Sequence, residues 1–416
     1  MDYSEKMLMK TPISDLKITD FDYTLPNEAI AYKPLEERDA SKIMVIKKDT
    51  VEHGIYNQLS SFLSPNTHLV FNNTKVIAAR MLFKNKNNGT IEIFLLEPID
   101  GNYAALHQKR NSTWKCLIGG VKKWKDNETL KKDIEIDHQM ISISANLITK
   151  ESDYFTVTFT WNEAYSFHEI TQAAGNTPLP PYIKREATSD DINRYQTVYA
   201  KHEGSVAAPT AGLHFTDKLL ANLHQHGITK SFLTLHVGAG TFKPVTSSTI
   251  AEHTMHKEFF EVEIETIKWF SENRSSIIPV GTTSLRTLES LYWIGIKLFH
   301  GKCTLDAMNN LDQWEHFEWI ALEQPDYKEV FKFLWMNMEA SGIKVIHGHT
   351  GICITPGYEF KVAKGLITNF HQPQSTLLFI IAAMLGNRWK DLYQTAIEMK
   401  YRFLSYGDGM LIKMEE

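Results

Sequence analysis

Five short segments present polar side chains, in four of them together with glycine, and such a mixture could bind or transform a small ligand. They are residues 204–216, 236–242, 281–286, 369–371 and 405–409. The first reads Gly-Ser-Val-Ala-Ala-Pro-Thr-Ala-Gly-Leu-His-Phe-Thr and brings His214 to a predicted helix start at Thr216. Threonine is a good helix N-cap, and small residues let a ligand approach backbone N–H groups. Histidine adds a group that titrates near neutral pH. By itself, the segment more simply indicates a tight turn with a packed histidine.

The segment Gly281-Thr282-Thr283-Ser284 lies between a predicted strand, 277–280, and a predicted helix. Such a junction offers an anion free N–H groups, hydroxyls and the positive end of a helix dipole. Arg286, one turn later, could add a bidentate clamp on a carboxylate or phosphate. The spacing of a Walker phosphate loop is absent. Taken alone, the pattern favours a capped helix with a surface arginine.

The segment 236–242 supplies Gly238 and Gly240, which would let a planar ligand approach the backbone. It lacks the full glycine pattern of a dinucleotide-binding fold. His253 and His256 are spaced i, i+3, but neither the neighbouring acids nor a cysteine completes a metal-ligand set with them, so we expect no metal site. Because several polar junctions recur in one chain, we predict that their loops converge on one ligand site.

The 416 residues include 43% hydrophobic side chains, enough for two or three domains with real cores. Three scattered cysteines argue against disulfides and favour a reducing cytoplasm. No apolar run reaches membrane-spanning length, and the N-terminus lacks a signal-peptide core. The net charge is −5, yet residues 75–125 carry ten basic and three acidic residues. This basic region could face a polyanion or be an ordinary solvated surface.

Alternating apolar and polar residues predict strands throughout 78–161, separated by Gly, Asn and Asp. Short strands with regular turns predict a small antiparallel β-barrel. Strands alternating with helices after residue 162 predict an α/β body, with the barrel inserted into it. The predicted divisions are 1–74 for the first part of the α/β domain, 75–161 for the inserted barrel and 162–416 for the main part of the α/β domain.

Long motifs in a fixed order resemble the S-adenosylmethionine:tRNA ribosyltransferase-isomerase family of queuosine biosynthesis. The matching blocks lie at 178–185, 194–200, 204–216, 235–242, 280–289, 368–371 and 405–408. The resemblance implies a larger α/β domain with an inserted β-barrel. It implies transfer and isomerisation of the ribosyl group of S-adenosylmethionine onto 7-aminomethyl-7-deazaguanine at the tRNA wobble position. Epoxyqueuosine-tRNA, adenine and methionine would be the products, with no metal or cofactor, since S-adenosylmethionine is consumed. We expect a cytoplasmic monomer with no membrane attachment.

The reaction implied by this resemblance suggests roles for individual residues. A base must remove a proton beside the sulfonium, and His214 and His236 are both candidates. Asp408, or Asn369 with His371, could assist the departure of adenine. The substrate carboxylate suits the helix start at Thr282, Thr283 and Ser284 together with Arg286. The remaining predicted contacts are Thr210, Gly238 and Gly240 for substrate, and Lys75, Arg80, Lys122 and Lys123 for tRNA.

The chain departs from the family pattern at Asn73 and Lys75, at 118–121 and at Gln374, and it is longer around 300–350. These changes remove charges or replace an arginine fork by a lysine point charge, and the two are not equivalent at phosphate. Two alternatives therefore stay open. One is a paralogue that uses S-adenosylmethionine on another acceptor, and the other is a tRNA-binding protein without catalysis.

Overall fold

The computed structural model describes residues 15–99, 101, 103–162, 165–238, 245, 247–305 and 309–414. Its strands are β1 Lys42–Ile46, β2 Val51–Ile55, β3 Thr67–Asn72, β4 Thr74–Val76, β5 Arg80–Lys84, β6 Thr90–Pro98, β7 Asn111–Gly119, β8 Leu130–Ile136, β9 Gln139–Lys150, β10 Phe155–Thr160, β11 Gly175–Asn176, β12 His202–Ser205, β13 Thr229–Leu235, β14 Glu258–Glu263, β15 Ser276–Val280, β16 Asn309–Leu311, β17 Val345–Thr350, β18 Gly365–Asn369 and β19 Gly409–Lys413. Its α-helices are α1 Leu59–Phe62, α2 Phe167–Ala174, α3 Ser189–Arg194, α4 Asp217–Gln225, α5 Ile264–Glu272, α6 Thr282–Phe299, α7 His316–Trp319, α8 Tyr327–Ala340, α9 Thr376–Leu385 and α10 Arg388–Glu398.

A ten-stranded mixed sheet forms the α/β body, in the order β16-β17-β14-β13-β3-β15-β18-β19-β1-β2. At its centre β13, β3, β15 and β18 are mutually parallel. Every residue of β3 is buried, as expected for a central strand covered on both faces. The predicted α/β class is therefore confirmed.

The inserted unit is a closed barrel of six antiparallel strands. The strands follow the order β5-β6-β7-β10-β9-β8, and a pairing of Lys84 with Lys131 joins the first to the last. Its interior contains Trp114, Phe83 and Phe159, all fully buried. The predicted inserted barrel is confirmed as a fold. The domain boundaries at 74/75 and 161/162 stay predictions, since the barrel strands themselves run from 80 to 160.

Parallel strands determine where the predicted polar segments meet. Because β13, β3, β15 and β18 run in one direction, their carboxyl ends share one edge of the sheet. The segments after β13 and β15 begin there, and Asn369 is the last residue of β18. This edge is where ligands bind in open α/β sheets.

One predicted helix start can be compared directly with the structure. Thr216 caps α4 as predicted, because its hydroxyl accepts a hydrogen bond from the Leu219 N–H at 3.1 Å. In the described part of the chain, no helix is both long enough and apolar enough to cross a membrane.

Candidate active site

Two adjoining pockets lie at the carboxyl edge of the central strands, and we call them together the cleft. Their volumes are about 500 Å³ and about 80 Å³, and Thr282, Thr283 and Leu377 line both. Seven predicted residues line the cleft: Thr210, Gly238, Thr282, Thr283, Arg286, Asn369 and His371. His214, His236, Ser284 and Asp408 are buried close by rather than on its described lining. Gly240 lies outside the described residues.

Helix α6 points its N-terminus at the cleft. Gly281 precedes it with φ +91°, a conformation that residues with a side chain rarely adopt. No side chain caps this end, so the first-turn N–H groups have no partner within the helix. The Ser284 hydroxyl donates to the Val280 carbonyl at 3.0 Å, which turns it away from ligand contact. Thr282 and Thr283 at the start of this helix therefore line the cleft, and the Thr283 hydroxyl accepts a hydrogen bond from Asn72 Nδ2 at 3.3 Å.

Arg286 is already engaged by the protein. It forms a buried ion pair with Glu258, and its Nε and Nη2 donate to the carbonyls of Ile352 at 3.1 Å and Thr350 at 3.3 Å. The second carboxylate oxygen of Glu258 accepts from the Gly238 N–H at 3.3 Å. The guanidinium therefore stabilises the side of the cleft through these hydrogen bonds, and the Glu258 carboxylate compensates its charge. Sequence reasoning missed Glu258, which no local motif connects to Arg286.

A chain of hydrogen bonds runs from the cleft to His214. The Thr210 hydroxyl donates to Asn369 Oδ1 at 2.8 Å, and Asn369 Nδ2 donates to His214 Nε2 at 3.2 Å. The His214 ring stacks on Tyr56 with centroids 4.2 Å apart. Burial lowers the pKa of His214 to about 4, so the ring is neutral at pH 7. In this arrangement Nε2 is the unprotonated nitrogen, and Asn369 separates it from the cleft.

Asp408 stabilises the backbone next to Asn369 through hydrogen bonds. Its carboxylate accepts from the N–H groups of Lys42 and Arg402, both at 2.8 Å, and its carbonyl accepts from Asn369 Nδ2 at 3.5 Å. Burial raises the pKa of Asp408 despite these bonds. Both carboxylate oxygens therefore hold the chain in place.

His371 faces the smaller pocket directly. Its ring Nε2 lies 3.0 Å from the Thr368 hydroxyl. Its backbone N–H donates to the Tyr393 hydroxyl at 3.1 Å. Burial lowers the pKa of His371 to about 3, which keeps the ring uncharged. Tyr182, in the resembling block 178–185, lines the same pocket and hydrogen-bonds to Ser405. The match at that block was the signal that could have identified Tyr182.

His236 lies where the barrel meets the α/β body. Its Nδ1 is 2.8 Å from the Thr74 hydroxyl, and its ring is between Tyr103 of the barrel segment, at 4.1 Å, and Phe259, at 6.1 Å. Burial lowers the pKa of His236 to about 3. The ring is therefore a neutral part of the interdomain packing.

The four lysines and arginines predicted to contact tRNA fall into two pairs. Lys75 and Arg80 form ion pairs with Glu203 and Glu92, each at 2.9 Å. Lys122 and Lys123 are exposed on a short 3₁₀ helix, Val121–Lys123, at one end of the barrel. Among the described residues, no group of three or more His, Cys, Asp or Glu side chains could hold a metal ion.

Comparison with known proteins identifies relatives over the whole length. A family model described as Queuosine biosynthesis protein matches residues 18–412. The S-adenosylmethionine:tRNA ribosyltransferase-isomerase of Sulfurihydrogenibium sp. is 38% identical over 404 residues, covering 95% of this chain and 100% of the relative. Its namesake from Thermotoga petrophila is 37% identical over 405 residues, with the same coverage. A crystal structure of S-adenosylmethionine tRNA ribosyltransferase from Thermotoga maritima shares 28% identity and covers 94% of this chain and 99% of its own, with a TM-score of 0.44. The chain belongs to the queuosine biosynthesis protein family.

Proposed function

We propose that this chain is an S-adenosylmethionine:tRNA ribosyltransferase-isomerase. It transfers the ribosyl group of S-adenosylmethionine to the aminomethyl group of 7-aminomethyl-7-deazaguanine at the tRNA wobble position and isomerises it. The products are epoxyqueuosine-tRNA, adenine and methionine. The observation that carries the proposal is the convergence of the resembling segments on one cleft, within a chain related to such enzymes over its full length.

The cleft suits a sulfonium nucleoside. We assign the methionine carboxylate to the N-terminus of α6, where unpartnered N–H groups and a helix dipole favour an anion. Arg286 adds little net charge there, because Glu258 compensates it. A compensated site avoids repelling the positively charged sulfur of the substrate. No cofactor is required, since S-adenosylmethionine is itself consumed.

The proton transfer requires a neutral base, and His214 and His236 remain the candidates. Both are uncharged at pH 7, as a base must be. His214 is the better connected to the cleft, through Asn369 and Thr210. For the departure of adenine we favour Asn369 and His371, which line the smaller pocket, over Asp408, whose oxygens hold backbone N–H groups.

We further propose that the enzyme is a cytoplasmic monomer. The three free cysteines, Cys116, Cys303 and Cys353, suit a reducing compartment. Sedimentation of the purified protein at micromolar concentration tests the oligomeric state, and a dimer mass would contradict the monomer.

One assay tests the function. The protein is incubated with S-adenosylmethionine and tRNA that carries the aminomethyl-deazaguanine, and adenine release and the mass of the wobble nucleoside are followed. We expect stoichiometric adenine release and a matching mass gain. Release only with some other acceptor would identify a paralogue, and tRNA binding without turnover would identify a binding protein. Unmodified tRNA is the matched control.

A further inference from the structure

Six lysines at one end of the barrel are exposed and form no salt bridge within the described residues. They are Lys84, Lys86, Lys122, Lys123, Lys125 and Lys131, and we call this region the lysine end. Elsewhere on the same barrel, Arg80 pairs with Glu92 and Lys115 pairs with Glu97. Lysines at this end outnumber its acids, which are Asp126, Glu128, Glu151 and Asp153. The excess of positive charge is therefore local, although the whole chain carries a net charge of −5.

Strand pairing brings these lysines together. Lys84 lies opposite both Thr90 and Lys131, which places the loop 85–89 beside the start of β8. Gly119, at the end of β7, lies opposite Glu92, so the loop 120–129 leaves the barrel at the same end. A hydrogen bond of 2.7 Å from Asn85 Nδ2 to the Lys123 carbonyl joins the two loops.

Glu128 lies between the two loops, and its carboxylate accepts hydrogen bonds from backbone N–H groups instead of forming an ion pair with a lysine. Glu128 accepts from the N–H of Lys86 at 2.9 Å and from the N–H of Lys125 at 3.2 Å. Beneath it, the buried indole of Trp124 donates to the Glu128 carbonyl at 2.7 Å. The lysines therefore extend from loops whose backbone is fixed by hydrogen bonds. The Lys84 ammonium also donates to the Thr90 hydroxyl at 2.6 Å, and none of the six forms an ion pair within the described residues.

A third turn at this end reaches the cleft. Phe155 lies opposite both Lys150 and Cys116, so residues 151–154 leave the barrel beside the lysine-bearing loops. Lys150 pairs with Asp126 of the loop 120–129 at 2.9 Å. Asp153 of this turn lines the larger pocket. The lysine end is thus adjacent to the mouth of the cleft.

We propose that the lysine end binds the phosphate backbone of the tRNA beside the nucleoside that enters the cleft. Lysines are mobile point charges that neutralise phosphates without reading sequence, which suits a surface that positions the RNA while the cleft recognises one nucleoside. This inference depends on the proposed function and adds the surface that positions the acceptor. Lys75 and Arg80 lie outside the proposed surface, because their charges are already paired.

The test compares two triple variants that remove equal charge. Lys122→Gln/Lys123→Gln/Lys125→Gln changes the lysine end. Lys218→Gln/Lys302→Gln/Lys332→Gln changes exposed lysines of the α/β body that form no ion pair in the described part of the chain. Dissociation constants for tRNA are measured by filter binding from low to moderate salt. We expect the first variant to bind tRNA at least about tenfold more weakly at low salt and its log–log salt slope to fall by about 2 to 3. The control should match the wild type.

S-adenosylmethionine affinity and thermal unfolding show whether the variants are folded and retain the cleft. The inference is overturned if the first variant keeps the wild-type tRNA affinity and salt slope, or if the control loses as much. A third triple variant, Lys84→Gln/Lys86→Gln/Lys131→Gln, removes the other three lysines of the lysine end and must reproduce the loss. A wild type that binds tRNA with the expected salt slope but releases no adenine would contradict the proposed function while leaving this surface supported.

Discussion

The cleft and the lysine end differ in how far their charged side chains are compensated. In the cleft, Glu258 compensates Arg286 and buried histidines stay neutral. At the lysine end, the ammonium groups are exposed and the intervening Glu128 holds backbone N–H groups. In the cleft, the charged side chains are therefore fixed by hydrogen bonds and compensated, whereas the lysine end presents an excess of positive charge on loops.

The difference matches the two substrates. A sulfonium nucleoside is a compact cation that would be repelled by excess positive charge and needs oriented polar groups. A tRNA is a polyanion that is attracted by unpaired lysines at long range. Substitutions in the cleft should therefore change folding or turnover, whereas substitutions on the barrel should change tRNA affinity and its salt dependence.

The largest effect on stability should come from the buried ion pair. Arg286→Met leaves Glu258 buried without its partner, and we expect the free energy of unfolding to fall by about 3–5 kcal/mol. Urea denaturation at pH 7 measures the change. The double variant Arg286→Met/Glu258→Leu should recover much of the loss, since no unpaired charge is left. A loss below about 1 kcal/mol in the single variant would mean that water reaches Glu258.

The largest effect on turnover alone should come from Asn369→Leu. Leucine has a similar volume but can neither accept from Thr210 nor donate to His214. We expect turnover to fall about 100-fold, because misplaced catalytic groups cost about this much. The rate of adenine release under saturating substrates measures it. Thr210→Ser, which keeps the hydroxyl, serves as the control and should stay within about threefold of wild type. An unchanged rate in the leucine variant would show that the hydrogen-bond chain is structural.

The sequence alone predicted the positions of the polar segments. The ends of β15 and β18 and the start of α6 follow from apolar runs that stop at glycine, threonine or asparagine. Parallel pairing then brings those ends to one edge. The barrel could likewise be predicted, because its strands alternate apolar and polar residues and pair in antiparallel order.

The partners of individual side chains could not be predicted. Arg286 resembled a free clamp because Glu258 lies 28 positions away at the start of β14, and only the packing of α6 against the sheet brings the two together. For His214 the sequence left both a packed histidine and a catalytic base open, because nothing local indicates that Tyr56 and Asn369 enclose it. The lysine end also depends on the pairing of β5 with β8, which closes the barrel across 47 positions. Long-range register decides these contacts, and a single sequence carries little information about it.

A smaller effect concerns the pH dependence of stability. Burial lowers the pKa of His236 to about 3, whereas an unfolded histidine titrates near 6.5. Between these values the unfolded chain binds a proton that the folded chain does not, so acidification below pH 6.5 favours unfolding. His236→Gln should remove about 2 kcal/mol of the stability lost between pH 7 and pH 5. Urea unfolding of both proteins at the two pH values measures this, and identical losses would mean that His236 is protonated in the fold.

The smallest effect is expected on the barrel wall, at Arg80. Its ion pair with Glu92 is partly exposed, with 42% and 30% of the two side chains accessible. Exposed pairs contribute little, so Arg80→Gln should cost less than about 1 kcal/mol of unfolding free energy. Because Glu92 already neutralises Arg80, the variant should also keep the tRNA dissociation constant within about twofold. Filter binding beside the lysine-end triple variant makes the comparison. A tenfold loss at Arg80 would extend the phosphate-binding surface along the barrel wall and remove the distinction between paired and unpaired cations on which the lysine end was defined.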